Sequence, residues 1–237
     1  LSEIRLVGTA HVSAQSVEDV KKAIEEWHPD MVAVELDLGR FHALKKDAEE
    51  PTVADVLEVR NFNQLLIQWI LSYLQRRIGI DVGVEPGAEM KAAISEAEQR
   101  GIAVALVDRD IRLTLLRFWQ SLGILGKIRM FFALVISIAE VDEIEKEIDI
   151  ESMKNQSVID MVMEEFRKFS PEGARSLIDE RDAILASRIL ALAAARERVL
   201  AVVGAGHVRG VERFIAAPAT IPPMESLTAP VRTIPYG

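Results

Sequence analysis

The chain has no cysteine among its 237 residues, so it can form neither a disulfide nor a thiolate metal site. Any metal it binds must be held by histidine, aspartate, glutamate, backbone or water, a donor set that suits Mn, Zn, Co, Fe or Mg. Positive charge is also short: 28 Lys and Arg face 37 Asp and Glu, a net charge of −9. A general nucleic-acid binder needs a basic face, so no nucleic-acid partner is expected. Long apolar runs are missing too. The longest, Met130–Ala139, follows Lys127 and Arg129 and falls short of the about 20 residues that a membrane-spanning helix needs. It reads as a buried or interfacial helix, or as the floor of a groove for an apolar peptide. No low-complexity tract and no signal peptide is visible, and the chain opens at Leu1 without Met, as a trimmed domain would. Hydrophobic residues make up 49%, enough for a sizeable core.

Histidine is scarce, with four in all, yet two of them sit in a phrase that the chain uses twice. Val7-Gly8-Thr9-Ala10-His11-Val12 follows the apolar run Ile4–Val7, and Val203-Gly204-Ala205-Gly206-His207-Val208 follows Val199–Val203. Each reads as a strand, a tight Gly-x-x-His turn and a helix. If the two strands are neighbours in a parallel sheet, both imidazoles emerge at one sheet edge, where two histidines and a carboxylate make a metal site. Structurally, the same histidines could only brace that edge. His28, between Trp27 and Pro29 at a helix end, reads as structural. His42 could line the cleft, but also suits a solvated helix start.

Apolar periodicity places strands at Ile4–Val7, Met31–Leu36, Asp81–Val84, Ile102–Val107 and Val199–Val203. Helices are expected up to Trp27, over Asn61–Arg77 and over Ala88–Arg100. From Asp110 to Arg198 the pattern is helical throughout: Ile111–Leu122, Ile124–Glu140, Asp142–Ile148, Met153–Phe169 and Pro171–Arg196. A short helix, Val208–Ala216, closes the pattern. The expected fold is α/β, a mostly parallel central sheet flanked by helices with a large all-helical insertion before the last strand. Residues 1–109 would form the N-terminal part of the core, 110–198 the insertion, 199–216 the final strand, turn and helix, and 217–237, with five prolines, a tail or linker. The insertion's amphipathic helices would support a homodimer.

In parallel sheets ligands bind beyond the carboxyl ends of the strands. Those ends carry His11, then Glu35 and Asp37, then Glu85, then Asp108-Arg109-Asp110, then His207. Each acid also has an ordinary reading as a helix cap or turn former. Asp179-Glu180-Arg181-Asp182 is either a solvated helix face or an element that brings Glu180 or Arg181 over the site, where an arginine could bind a carboxylate or oxyanion. Gly204-x-Gly206 is not a dinucleotide fingerprint, because the third glycine position holds Arg209 and Gly210 comes one residue late.

Together, Gly-Thr-Ala-His-Val-Ser at 8–13, Val-Glu-Leu-Asp at 34–37 with Arg40, Asp-Arg-Asp at 108–110, Glu-Arg-Asp at 180–182 and Gly-Ala-Gly-His-Val at 204–208 resemble the TraB/PrgY family, in order and over nearly the whole chain. That family looks related to the TIKI metalloproteases and, more remotely, to erythromycin-esterase-like and ChaN-like proteins. The resemblance implies a divalent metal (Mn, Co or Zn) with His11 and His207 as ligands or catalytic residues. It implies Glu35 as ligand or general base, and Glu180 and Arg181 as the family's Glu-Arg pair. Glu35, Glu85 or Asp108 would complete the metal site, and Arg40 or Arg181 would steady an oxyanion or a substrate carboxylate. The activity implied is metal-dependent hydrolysis of small or apolar, pheromone-like peptides. The alternative is a module that captures such peptides without cleaving them. Relatives of this type are membrane-associated through segments outside this chain, which implies the same of the full-length protein.

Overall fold

The computed structural model describes residues 2–9, 14–45, 87–124, 126–127 and 156–229. The expected strand Asp81–Val84, the helices Asn61–Arg77 and Asp142–Ile148, most of Ile124–Glu140, the apolar run Met130–Ala139, and the candidate residues His11 and Glu85 lie outside them. Two compact units emerge, one from Leu1–Asp108 with Arg188–Gly204 and one from Arg109–Ser187 with Ala205–Gly237.

The first unit is built on a four-stranded, all-parallel sheet of β1 (Glu3–Thr9), β2 (Met31–Val34), β3 (Ala103–Leu106) and β4 (Arg198–Gly204), in the order β1-β4-β2-β3. The last of the described strands is thus inserted between the first two. Helix α1 (Ala14–Trp27) joins β1 to β2, α2 (Leu38–Lys45) follows β2, and α3 (Ala88–Gln99) precedes β3. Central position explains the sequence of β4. Val199, Leu200, Ala201, Val202 and Val203 are all fully buried, as a strand covered on both faces requires. Val32, Val34, Leu200 and Val202 pack with Val20 and Ile24 of α1 and Met90, Ala93 and Ile94 of α3. Each large aliphatic side chain taken out of water there contributes about 1.5–3 kcal/mol. His28 ends α1 in the left-handed conformation (φ 49°), its N–H donated to the carbonyl of Ile24, so its role is that of a helix cap.

The second unit is helical in its described part. It holds α4 (Ile111–Ser121), α5 (Gln156–Phe169), α6 (Pro171–Ala174), the start of α7 (Glu180–Ala193), α8 (Ala205–Ala216) and α9 (Met224–Thr228). Asp110 caps α4 by accepting from the Arg112 N–H at 2.7 Å, and Ser170 caps α6 by accepting from Gly173 at 3.2 Å, ahead of Pro171 in the first turn. The expected single helix Pro171–Arg196 is instead interrupted by a π-helical turn, Arg175–Asp179. The expected helix Val208–Ala216 starts three residues earlier, so His207 lies in the first turn of α8 rather than before it. Helix α2 was not expected as an element. It carries no fully buried residue, so no apolar stripe announced it.

Candidate functional site

In the first unit β1 and β4 are parallel neighbours, as the repeated phrase required, with Gly8 opposite Val203 and Thr9 opposite Gly204. The two phrases are therefore staggered by one residue. Beyond the carboxyl ends of the strands, three predicted acids and one predicted arginine meet. Glu35 is buried and its Oε2 accepts the Gly204 N–H at 2.6 Å, tying the end of β2 to the end of β4. Arg40, on α2, bridges the other two: its Nε donates to Asp37 Oδ2 at 2.7 Å and its Nη2 to Asp108 Oδ2 at 2.6 Å. Asp37 also caps α2 by accepting the Arg40 N–H at 3.0 Å. Burial is the largest influence on its carboxyl and works to raise it. The bonds from Arg40 and Gly39 outweigh burial and leave it below the ordinary value. The Asp108 carbonyl accepts from Arg188 at 2.6 Å. Arg40 thus serves the carboxylates, where an anion-binding role had been expected.

The second unit gathers His207, Asp182, Arg181 and Glu180. His207 is 8% exposed and Asp182 1%. The ring's Nδ1 lies 2.6 Å from Asp182 Oδ1, and its Nε2 lies 2.9 Å from Arg181 Nη1. A guanidinium only donates, so Nε2 accepts, and the ring proton sits on Nδ1, donated to the carboxylate. Asp182 thereby fixes the tautomer and plane of the imidazole. Burial pushes the Asp182 carboxyl above its ordinary value, and the His207 hydrogen bond offsets part of that. Gly210, one turn beyond His207, makes room for the carboxylate: a Cβ there would overlap Asp182 Oδ2.

Glu180 faces elsewhere. Arg117 grips both its oxygens, Nε to Oε2 at 2.7 Å and Nη2 to Oε1 at 2.8 Å, and Arg109 Nη1 adds a third bond to Oε2 at 2.9 Å. Burial is the largest influence on this carboxyl and acts to raise it, but the two arginines together carry it below its ordinary value. Arg109 is itself 2% exposed and also donates to Thr114 Oγ1 and to the carbonyls of Ser176 and Leu227.

Sequence reading missed Asp182, Arg109, Arg117 and Gly210 as members of these networks. Asp182 lay inside a motif already singled out, and the interval from His207 to Gly210 is one helical turn, so both carried a readable signal. Arg109 lay likewise inside the Asp108-Arg109-Asp110 motif, though nothing there pointed to Glu180, and Arg117 carried no signal. Among the described residues no group of three or more histidine, aspartate or glutamate side chains could hold a metal ion. The orientation of His207 nevertheless fits a metal ligand, since metal-bound imidazoles commonly give the second ring N–H to a carboxylate. In this arrangement the lone pair a metal would need is taken by Arg181. No helix among the described residues is long and apolar enough to cross a membrane.

The chain is similar to an uncharacterized protein of Methanocaldococcus jannaschii, 37% identical over 90% of this chain and 53% of the relative. It is also similar to the TraB domain-containing proteins of Homo sapiens (32% identical, 90% of this chain, 62% of the relative) and Mus musculus (31%, 98% and 67%). It therefore spans between about half and two-thirds of the length of these relatives. The family model of the TraB/PrgY/gumN proteins matches residues 2–218. With that match covering nearly all of the sequence, and with the strand-end acids and both Gly-x-x-His phrases inside it, the chain belongs to the TraB/PrgY/gumN family.

Proposed function

We propose that this domain is a hydrolase of small or apolar peptides that works with a divalent metal (Mn, Co or Zn), with His207 and His11 as its imidazole ligands. The observation that carries the reading is the buried Asp182–His207 pair. A carboxylate kept in poorly solvated surroundings is costly, and its bond to Nδ1 gives one definite result: an imidazole whose lone pair is on Nε2, where Arg181 meets it. That is the preparation needed by a metal ligand or a general base. When bound, the metal would supply Lewis acidity and a water acidified toward neutral pH. The protein's own part is orientation and charge. Asp182 holds the His207 ring, and Arg181 carries a cation beside it for an oxyanion or a carboxylate. Glu35 is the candidate base or carboxylate ligand that the family resemblance favours.

The test is metal content by plasma mass spectrometry after tag-free purification, for wild type and for His11→Ala/His207→Ala, followed by a peptide-cleavage screen with Mn, Co and Zn read by mass spectrometry. Near-stoichiometric metal in the wild type, its loss in the variant and wild-type-only cleavage support the reading. Saturable binding with intact peptide recovered, or no metal after reloading, replaces it with the peptide-capturing module.

A further inference from the structure

Helix α9 is seated in the second unit by one side chain and two carbonyls. Of its five residues Leu227 is buried, at 4% exposure, while Glu225, Ser226 and the following Ala229 are exposed. The last carbonyls of a helix have no partner within it and stand at the negative end of its dipole, so arginines suit them. Arg109 Nη1 donates to the Leu227 carbonyl at 2.8 Å and Arg117 Nη1 to the Ala229 carbonyl at 2.7 Å. These are the arginines that grip Glu180. Arg109 uses the same nitrogen for Glu180 Oε2, and Arg117 uses the other side of its fork, Nε and Nη2, for both Glu180 oxygens. A guanidinium is a rigid plane, so the bonds on its two sides cannot be set independently. Arg109 Nη2 also donates at 2.8 Å to the carbonyl of Ser176, in the π-helical turn that leads to Glu180. Two residues beyond Glu180, Asp182 orients the His207 ring.

We infer that α9 is a strap that sets the alignment of His207 through Arg117, Arg109 and Glu180. When it is seated, both guanidinium groups lie in the one plane that serves the strap carbonyls and Glu180 together. When it lifts, each arginine loses an acceptor, a costly loss for Arg109 at 2% exposure. The guanidinium groups turn, Glu180 loses its fixed seat, and the first turn of α7 moves with it. Asp182 stands on that turn and carries the displacement to His207 Nδ1. The π-helical turn is the natural place for the movement, since such wide turns are rare and gather at functional sites. Glu180, Arg109 and Arg117 are then positioning residues that act through Asp182. Every member of the relay lies in the second unit. A partner or ligand that takes up the Leu227 side chain, or draws on the proline-rich stretch around it, acts on the imidazole. This goes beyond the hydrolase reading, because the alignment of one ring can be followed without metal or turnover.

The experiment is NMR on chelator-treated, uniformly nitrogen-15-labelled full chain. It follows solvent exchange of two protons. The His207 Nδ1 proton reports the ring, and the Ala229 amide proton, bonded to the Glu225 carbonyl at 2.9 Å, reports the strap. Leu227→Asp should unseat α9, because a buried apolar seat does not hold an unpartnered charge. Arg117→Lys keeps the charge beside Glu180, but a single ammonium cannot span Glu180 and the Ala229 carbonyl as the fork does. In both variants both protons should exchange about tenfold or more faster, the factor for one lost hydrogen bond from a charged donor. Leu122→Ala truncates a buried leucine of the same unit that has no part in these bonds. It should weaken the fold and leave the His207 proton at its wild-type rate. A wild-type His207 rate in Arg117→Lys would overturn the relay, and this variant decides the matter if Leu227→Asp does not fold. Equal acceleration in Leu122→Ala would overturn it too, as general loosening. Coupled exchange in a protein that takes up no metal and cleaves no peptide would keep the strap and remove the hydrolase reading. Metal uptake and cleavage with uncoupled exchange would do the reverse.

Discussion

Two acids in the first turn of α7 illustrate how partner choice sets the behaviour of a carboxyl. Asp182 has a neutral imidazole for a partner, and burial prevails. Glu180, two positions earlier, has two guanidinium partners, and they prevail over burial. The sign of the stability effect follows. A carboxyl whose folded value is lowered stabilises the fold at pH above its unfolded value, ordinarily 4.5 for glutamate, and that stabilisation is lost as pH falls through the folded value. Glu180→Gln should therefore lower the urea midpoint at pH 7 and narrow its gap to wild type at progressively lower pH below 4.5. Glu180→Ala, which takes the carboxylate from buried Arg109 and half-buried Arg117, should cost about 3–5 kcal/mol at pH 7. A gap between Glu180→Gln and wild type that stays constant from pH 7 down to pH 3 would show that Glu180 contributes no pH-dependent stability.

At the level of elements, α8 shows how a glycine can be structural or merely tolerated within one turn. Gly206 and Gly210 flank His207, and a Cβ at either position meets a neighbour. At Gly206 the neighbour is the terminal methyl of Met163, the far end of a flexible side chain that can rotate away. At Gly210 it is the carboxylate of Asp182, which cannot retreat without leaving His207. Gly206→Ala should therefore be close to neutral or stabilising in thermal unfolding, since alanine is better than glycine in a helix by about 0.8–1 kcal/mol. Gly210→Ala should be destabilising despite the same propensity gain, and should free the His207 ring. A two-dimensional NMR spectrum of the imidazole nitrogens reads the ring directly, and an unchanged Nδ1–H signal in Gly210→Ala would contradict this account. The π-helical turn Arg175–Asp179 belongs to the same scale. Wide turns of this kind are rare and concentrate at functional sites, and this one delivers the consecutive residues Glu180, Arg181 and Asp182 to two separate networks.

At the scale of the molecule, the sheet was legible because its signal is local and apolar. The central strands β2 and β4 are buried apolar runs, and the half-exposed edge strands β1 and β3 still carry shorter apolar stretches, so the four described strands fall where apolar residues cluster. The condition set on the repeated phrase, that its two strands be parallel neighbours, is met by β1 and β4. The pairing of Arg109 and Arg117 with Glu180 was not legible, although Arg109 stands in the Asp108-Arg109-Asp110 motif, because nothing in sequence announces a partner 71 or 63 positions away. Helix α2 was hidden for a related reason: it is initiated by the Asp37 cap and held by Arg40, not by an apolar face.

The same long-range arginines fix the end of the described chain. Arg109 Nη1 donates to the Leu227 carbonyl at 2.8 Å and Arg117 Nη1 to the Ala229 carbonyl at 2.7 Å, while the Leu227 side chain is 4% exposed. Each bond from a charged donor is worth about 1.5–3 kcal/mol, and burial of one leucine about 1.5–3 kcal/mol. Deleting residues 218–237 removes the buried Leu227 side chain and both carbonyl acceptors and should therefore lower the stability. Leu227→Ala in the full chain should reproduce most of that loss by opening a cavity under α9. Urea unfolding followed by tryptophan fluorescence and far-ultraviolet dichroism measures both. If the shortened chain unfolds at the wild-type midpoint, the contacts of the two arginines to Leu227 and Ala229 are incidental to the fold.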